Sequence, residues 1–270
     1  MSPQSRPRWR LLYSPPAVAA ANMATDEAIQ LAVGAGEAIA TIRFYSWEPP
    51  CLSLGRGQRV RDADRAALRA AGFDIVRRPT GGRAILHADE LTYSIASRLS
   101  NLLVRGTIVE SYRRLSRGLA RGLQLLGLSE HSAGPQHIQR GSSQGPACFQ
   151  ITSHYEISFQ GRKLLGSAQA RTGDALLQHG SLPLRGDLAR ICPLLTAGPS
   201  PESARARAVT LGQALGCDVA WAEAAEALAA GFAEEFGIRL ERGELTPDER
   251  RRARSLERDK YATEKWTARV

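Results

Sequence analysis

Apolar and polar positions recur along the chain with two periods. Period-two or short apolar runs predict strands over Arg8–Tyr13, within Ala38–Trp47, and over Cys51–Leu54 and Phe73–Arg77. Ala84–His87 and Leu91–Ala96 read as the two strands of a hairpin. Tyr155–Phe159, Lys163–Ala170 and Ala175–Leu184 read as three more, joined by turns at Gln160-Gly161 and Thr172-Gly173-Asp174. Helical spacing dominates elsewhere. Asn22–Val33 is predicted helical, with Asn22 or Thr25 as its cap and Asp26 and Glu27 suited to a helix start. A short helix over Asp62–Ala71 ends at Gly72. In Thr107–Leu126, the residues Ile108, Tyr112, Leu115, Leu119, Leu123 and Leu126 form one stripe. Residues 129–147 read as a long loop and 196–206 as a Pro/Ser/Ala-rich connection. The remainder is mainly helical, with Ala224, Leu228, Phe232 and Phe236 on one face and a short strand near Ile238–Leu240. Hairpins and meanders between helices imply an α/β (α+β) fold, not a Rossmann repeat.

Composition narrows the classes. The chain has 270 residues, 43% hydrophobic and 23% charged, which is globular and not disordered. One domain over 1–270 is expected, with 201–270 as a mainly helical C-terminal extension packed on it. No apolar run reaches the roughly 18 residues of a membrane span. Pro15 and Pro16 interrupt the basic N-terminus and argue against a signal peptide. A cytoplasmic location follows as the expectation. Cys51, Cys148, Cys192 and Cys217 are scattered, without metal-site spacing, so reduced thiols are expected, three of them buried.

The net charge is +9, yet only three of the 36 basic residues are lysine: Lys163, Lys260 and Lys265. Nucleic acid is a weak candidate partner, since no DNA- or RNA-binding motif is present. The run Arg250, Arg251, Arg252, Arg254 lies among acidic residues and reads as a solvated helix face. An acidic protein partner fits the charge at least as well.

Four stretches could carry chemistry. Arg77-Arg78-Pro79-Thr80-Gly81-Gly82-Arg83 sets a glycine pair between arginines, which suits an anion or a carbonyl; alone it also fits a plain hairpin turn. Gly161-Arg162-Lys163-Leu164-Leu165-Gly166-Ser167-Ala168-Gln169 places a rare lysine beside small residues, where an ammonium can face a developing oxyanion. Gln178-His179-Gly180-Ser181 lies inside a strand, where a histidine is commonly structural. Cys148 ends the long loop; spacing alone leaves it structural.

Taken together, these stretches resemble the biotin/lipoate protein ligase family. The nearest likeness is to its cysteine-dependent octanoyltransferases, which load the glycine-cleavage H protein. The matching segments are NMATDEAI (22–29), CLSLGR (51–56), RRPTGGRAILH (77–87), DELTYS (89–94), ACF (147–149), YEI (155–157), GRKLLGSAQ (161–169), LLQHGSLPL (176–184), ELTPDE (244–249) and KYATEKW (260–266). The resemblance implies a mixed, mostly antiparallel sheet flanked by helices. It implies octanoyl transfer from acyl carrier protein to a lysine of the H protein or another lipoyl domain, without ATP or metal, by a monomer that contacts neither nucleic acid nor membrane. Cys148 would be the nucleophile and Lys163 the group on the acyl carbonyl. Arg78, Thr80, Gly81, Gly82, Arg83, His87, Gly166, Ser167, Ala168, Gln169, His179 and Gly180 would bind substrate, and central-strand Leu, Ile and Val side chains would line the acyl tunnel. Asp26, Asp89 and Glu156 are read as structural.

Rival readings are an ATP-dependent lipoate–protein ligase, which usually carries a third glycine where this chain has Arg83, and an amidotransferase acting between lipoyl domains. A non-catalytic acyl-binding module is opposed by the presence of both Cys148 and Lys163.

Overall fold

The computed structural model describes residues 6–129, 131–132 and 157–270. Cys148 and Glu156 therefore lie outside the described residues, as do most of the expected loop at 129–147 and Tyr155 at the head of its expected strand.

The elements run β1 (Arg8–Tyr13), α1 (Ala19–Ala35), β2 (Thr41–Tyr45), β3 (Cys51–Leu54), α2 (Arg65–Ala70), β4 (Asp74–Arg77), β5 (Ile85–His87), β6 (Glu90–Arg98) and α3 (Ile108–Leu125). They continue with β7 (His131–Ser132), β8 (Ile157–Phe159), β9 (Arg162–Thr172), β10 (Ala175–Pro183), α4 (Pro201–Arg207) and α5 (Leu211–Leu215). The chain ends with α6 (Trp221–Phe236), β11 (Arg239–Arg242), α7 (Pro247–Leu256) and α8 (Glu264–Thr267).

Among the described residues, eight strands form one sheet in the order β11-β1-β2-β6-β10-β9-β8-β7. The β11-β1 and β1-β2 pairs are parallel and the remainder antiparallel. A second sheet, β4-β3-β5, has its own small core around Leu52, Leu54 and Leu68. The fold class inferred from the pattern is the one found.

Strand alternation divides the large sheet between two helical layers. Odd positions of β6 (Leu91, Tyr93, Ile95) join Leu115, Leu119 and Leu123 of α3 in the main core. On the opposite face, Ala96 packs with Ile29 and Val33 of α1. The even positions Thr92 and Ser94 are polar but buried, because they face the site and not the main core. Thr107 caps α3 in a reciprocal box with Glu110.

Helix α6 lies on α3 through glycines, with Phe232 and Leu228 filling the space beside them. A Cβ on Gly231 would stand 2.1 Å from the Gly122 nitrogen, so the backbones meet with no room for a methyl group.

Several expectations need correction. Helix α1 begins a turn earlier than predicted, at Ala19, and Asn22 is not its cap. The Asn22 amide instead donates to the carbonyls of Ala17 and Ser46 and its oxygen accepts from Arg43, tying the helix to β2. Strands β5 and β6 are not hairpin partners. The chain turns at Asp89, in the left-handed region at φ 53°, and passes from the small sheet to the large one. The 196–206 connection contains α4, whose start is set by Ser200 as cap and Pro201 in the first turn. Of the described cysteines only Cys51 is buried; Cys192 is half-buried and Cys217 exposed.

The arginine run is solvated as expected: Arg250 pairs with Glu244, Arg251 with Asp248 and Arg252 with Glu37. Lys260, unexplained by pattern, pairs with Glu27 at 2.6 Å and lies over the Trp266 ring, pinning the C-terminal turn to α1. No helix among the described residues is long and apolar enough to cross a membrane.

Gly231→Ala is expected to force α3 and α6 apart and lower stability by about 1–3 kcal/mol. Urea unfolding with an unchanged m-value would show it; an unchanged midpoint would contradict the packing.

Candidate acyl-binding site

The segment after β4 is a loop because Pro79 and the glycine pair cannot extend the strand. Arg77 and Arg78, just before it, are both buried. Backbone oxygens take most of their donors. The Arg78 guanidinium donates to Gly81 O from Nε and Nη2 (3.2 and 2.9 Å) and to Arg83 O (2.6 Å). It also donates to Ser53 O and Oγ (2.9 and 3.1 Å). Arg77 donates to the carbonyls of Gly55, Arg56, Gln58 and Thr267.

All five N–H directions of Arg78 are thus engaged. It shapes the loop from beneath and does not act as the anion fork that the sequence suggested. Because C=O and N–H of a trans peptide point oppositely, the Gly82 N–H is aimed away from Arg78. Gly82, at φ 91°, stands against Gly55, where a Cβ would lie 2.0 Å from the Gly82 oxygen.

The loop forms one wall of a 630 Å³ cavity. Arg78, Gly81, Gly82 and Arg83 line that wall, with Ile85 and His87 of β5 beyond them. Gly166, Ser167, Ala168 and Gln169 of β9 and His179, Gly180 and Ser181 of β10 form the floor. Met23, Tyr45, Trp47, Ser53 and Thr92, all buried, close the inner end. The exposed Ile108 and Val109, in the first turn of α3, stand at the mouth with Tyr112. A largely apolar cleft with a few oriented polar groups suits a small acyl ligand.

Two hydrogen-bonded assemblies hold these walls. Asp26, fully buried, accepts from Arg43 at 2.8 Å, from Ser94 at 2.8 Å and from Tyr45 at 2.8 Å. His179 Nδ1 lies 3.4 Å from the same carboxylate, and its Nε2 meets Thr80 Oγ1 at 2.6 Å. Burial opposes the Asp26 charge, but His179, Arg43 and Tyr45 outweigh it and hold the carboxyl below its ordinary range. Burial pushes the His179 imidazole down, against the Asp26 attraction, so His179 is neutral. Its Nδ1–H then points to Asp26, and the Thr80 hydroxyl donates to Nε2.

On the β9 side, Gln178 donates to Tyr93 OH at 3.0 Å, Gln169 to Gln178 at 3.0 Å, and Tyr93 meets Ser167 Oγ at 2.6 Å. Burial raises the Tyr93 phenol to about 12, so it remains a neutral hydroxyl. At the inner end His87 stacks on Trp47 at 4.1 Å and meets Ser53 Oγ at 2.8 Å. Glu90 is clasped by Thr92 and Ser181 beside it.

The structure therefore brings eleven of the twelve expected substrate residues to one cavity. Thr80 stands behind it, joined to His179. Lys163 is 1% exposed on β9 and is not among the described lining residues. Its carbonyl accepts from Val209 N at 3.0 Å. Cys148 is outside the described residues. Trp47, Ser53, Tyr45 and Met23 were missed by sequence reasoning; CLSLGR and the β2 run carried no chemical signal beyond strand propensity.

Fold and cavity define an α/β domain with an apolar cleft beside a glycine loop. Residues 18–233 match the lipoyl protein ligase A/B catalytic domain, and the chain belongs to that family. The octanoyltransferase LipM of Kyrpidia tusciae is 44% identical over 97% of this chain and 98% of its own. That of Symbiobacterium thermophilum is 43% identical over the same shares. Among solved structures, a bi-partite lipoate protein ligase of Thermoplasma acidophilum superposes with a TM-score of 0.81 at 25% identity, covering 97% of this chain and 96% of that one. A lipoate-protein ligase A bound with ATP gives 0.80 at 26% identity, covering 97% and 98%.

The state of His179 has a measurable consequence. Folded His179 is neutral, whereas the unfolded residue takes up a proton below about pH 6.5. Stability is then lost as pH falls below that value, by at most about 1.4 kcal/mol per unit. Melting of wild type between pH 7.5 and 5.5 should show a steeper decline than melting of His179→Gln. Equal slopes would mean that the imidazole is charged in the fold.

Proposed function

We propose that the chain moves an octanoyl group from acyl carrier protein to a lysine of a lipoyl-type acceptor, the glycine-cleavage H protein, through a thioester on Cys148. The protein is an acyltransferase of the octanoyltransferase kind, acting in lipoate assembly. The observation that carries the finer reading is the full-length likeness to octanoyltransferases. The apolar cavity closed by Met23, Tyr45 and Trp47 supports it, since an eight-carbon chain needs such a slot.

In this reading the Cys148 thiolate attacks the donor thioester carbonyl and expels the carrier thiolate, leaving octanoyl on sulfur. The acceptor amine then attacks that carbonyl, loses a proton to a base, and expels the Cys148 thiolate as the amide forms. Thioester exchange is nearly balanced and amide formation is downhill, so neither ATP nor a metal is called for. Lys163 stabilises the oxyanion and favours the thiolate. Its burial supports a specific role, because a buried ammonium must be compensated to persist. The glycine-loop N–H groups assist. The excess of positive charge would speed the encounter with acidic carrier and acceptor proteins.

Incubation with octanoyl-acyl carrier protein without ATP should give a hydroxylamine-labile octanoyl adduct by intact mass. The adduct should be absent in Cys148→Ser. Its persistence there would refute the nucleophile, and acceptor modification only with ATP would favour a ligase. Octanoyl-H protein acting as the better donor would point to an amidotransferase. Lys163→Ala should slow loading by about 10²–10³-fold; an unchanged rate would remove Lys163 from the chemistry.

A further inference from the structure

Beside the acyl cavity lies a second one, of 480 Å³. The two share Gly81 and Gln169 among their lining residues, so they adjoin at the glycine loop. The character of the second is different. Its walls carry three guanidinium groups, Arg56, Arg171 and Arg269, and no carboxylate side chain among the described residues. Val270 stands at the rim, where its carbonyl oxygen accepts from Val60 N at 2.9 Å. Three arginines and no acidic side chain make the described walls positive.

The arginines are positioned by the fold. Arg171 extends from the end of β9 and donates to Gly106 O at 2.6 Å and to Ser111 Oγ at 3.1 Å. Its Nε is buried without a hydrogen-bond partner, an uncommon condition for a guanidinium. Arg269 lies over the Trp266 ring at 4.6 Å. Arg56 is exposed beside the loop, its amide donating to Thr80 O at 2.8 Å. Arginine forks in a concave site are matched by phosphate oxygens.

We propose that this cavity binds the phosphate of a pantetheine-type thioester donor, while the thioester itself reaches past Gly81 and Gln169 to the acyl cavity. The inference rests on the transfer reading above, because it is a thioester carried on a phosphorylated arm that presents an acyl group and a phosphate together. The arm lies along the Gly81–Gln169 passage, and Arg56, Arg171 and Arg269 hold its far end. A nucleotide phosphate has the same chemistry, so the test must separate the two.

Binding is measured by calorimetry with 4′-phosphopantetheine, pantetheine and ATP on the full chain. Loading is followed with octanoyl-4′-phosphopantetheine and octanoyl-pantetheine. The wild type should prefer the phosphorylated form by about tenfold or more in both readouts, as expected for charge-assisted hydrogen bonds to a phosphate. In the double variant Arg56→Ala/Arg269→Ala that ratio should fall to near one, with the fold retained by circular dichroism. Equal binding of the two pantetheines by wild type, or a ratio preserved in the variant, would overturn the proposal. So would ATP binding tighter than phosphopantetheine and lost in the variant, which would assign the arginines to a nucleotide. Failure of every donor to load octanoyl would refute the transfer reading alone, because the binding ratio is read without acyl transfer.

Discussion

Two buried arginines with carbonyl partners set the shape of the site. Burying a guanidinium is costly unless its donors are met. Here Arg78 is met by Ser53, Gly81 and Arg83, and Arg77 by Gly55, Arg56, Gln58 and Thr267. Each carbonyl turned toward these groups fixes the plane of a peptide, and so fixes where the following N–H points. The glycine loop is therefore held in one conformation by groups beneath it. Arg77 also draws the C-terminal turn over β4, and Trp266 answers by donating to the Arg77 carbonyl at 2.8 Å. Residues nearly two hundred positions apart thereby depend on the same pair of side chains.

The second constraint is the Asp26 assembly. It joins α1, β2, β6 and β10 around one buried carboxylate, and through His179 it reaches Thr80 in the loop. Loop and floor are thus coupled by hydrogen bonds as well as by packing. A site that must place an acyl carbonyl against donors gains from such rigidity, since preorganised dipoles need not reorient during reaction. The cavities on either side of Gly81 differ accordingly: one apolar for a chain, the other lined with arginine.

Much of this was legible in the sequence, for identifiable reasons. Strands and helices with clean periods, such as Ala175–Leu184 and Thr107–Leu126, were placed to within a residue or two. The expected site residues of RRPTGGRAILH and GRKLLGSAQ do converge on one cavity, apart from Thr80 behind it and Lys163 upstream. What failed depended on long-range contacts. The apparent hairpin at 84–96 is split between sheets because of the turn at Asp89, and alternation says nothing about partner choice. Asn22 looked like a cap because amides favour helix starts, yet its partners lie on β2 and before α1. Arg78 looked like an anion fork because composition cannot show that its donors are already engaged. Of the rare lysines, Lys163 is buried, and Lys260 fastens the C-terminal turn to Glu27, a contact no local pattern announces.

The central claim, that Arg78 builds the loop through its fork geometry, is tested most directly by Arg78→Lys. Lysine keeps the charge but offers three compact donors in place of five. Hydrogen exchange of the Gly81–Ala84 amides should accelerate by about tenfold or more, equivalent to at least about 1.4 kcal/mol of lost local stability. Protection equal to wild type in Arg78→Lys would contradict the account.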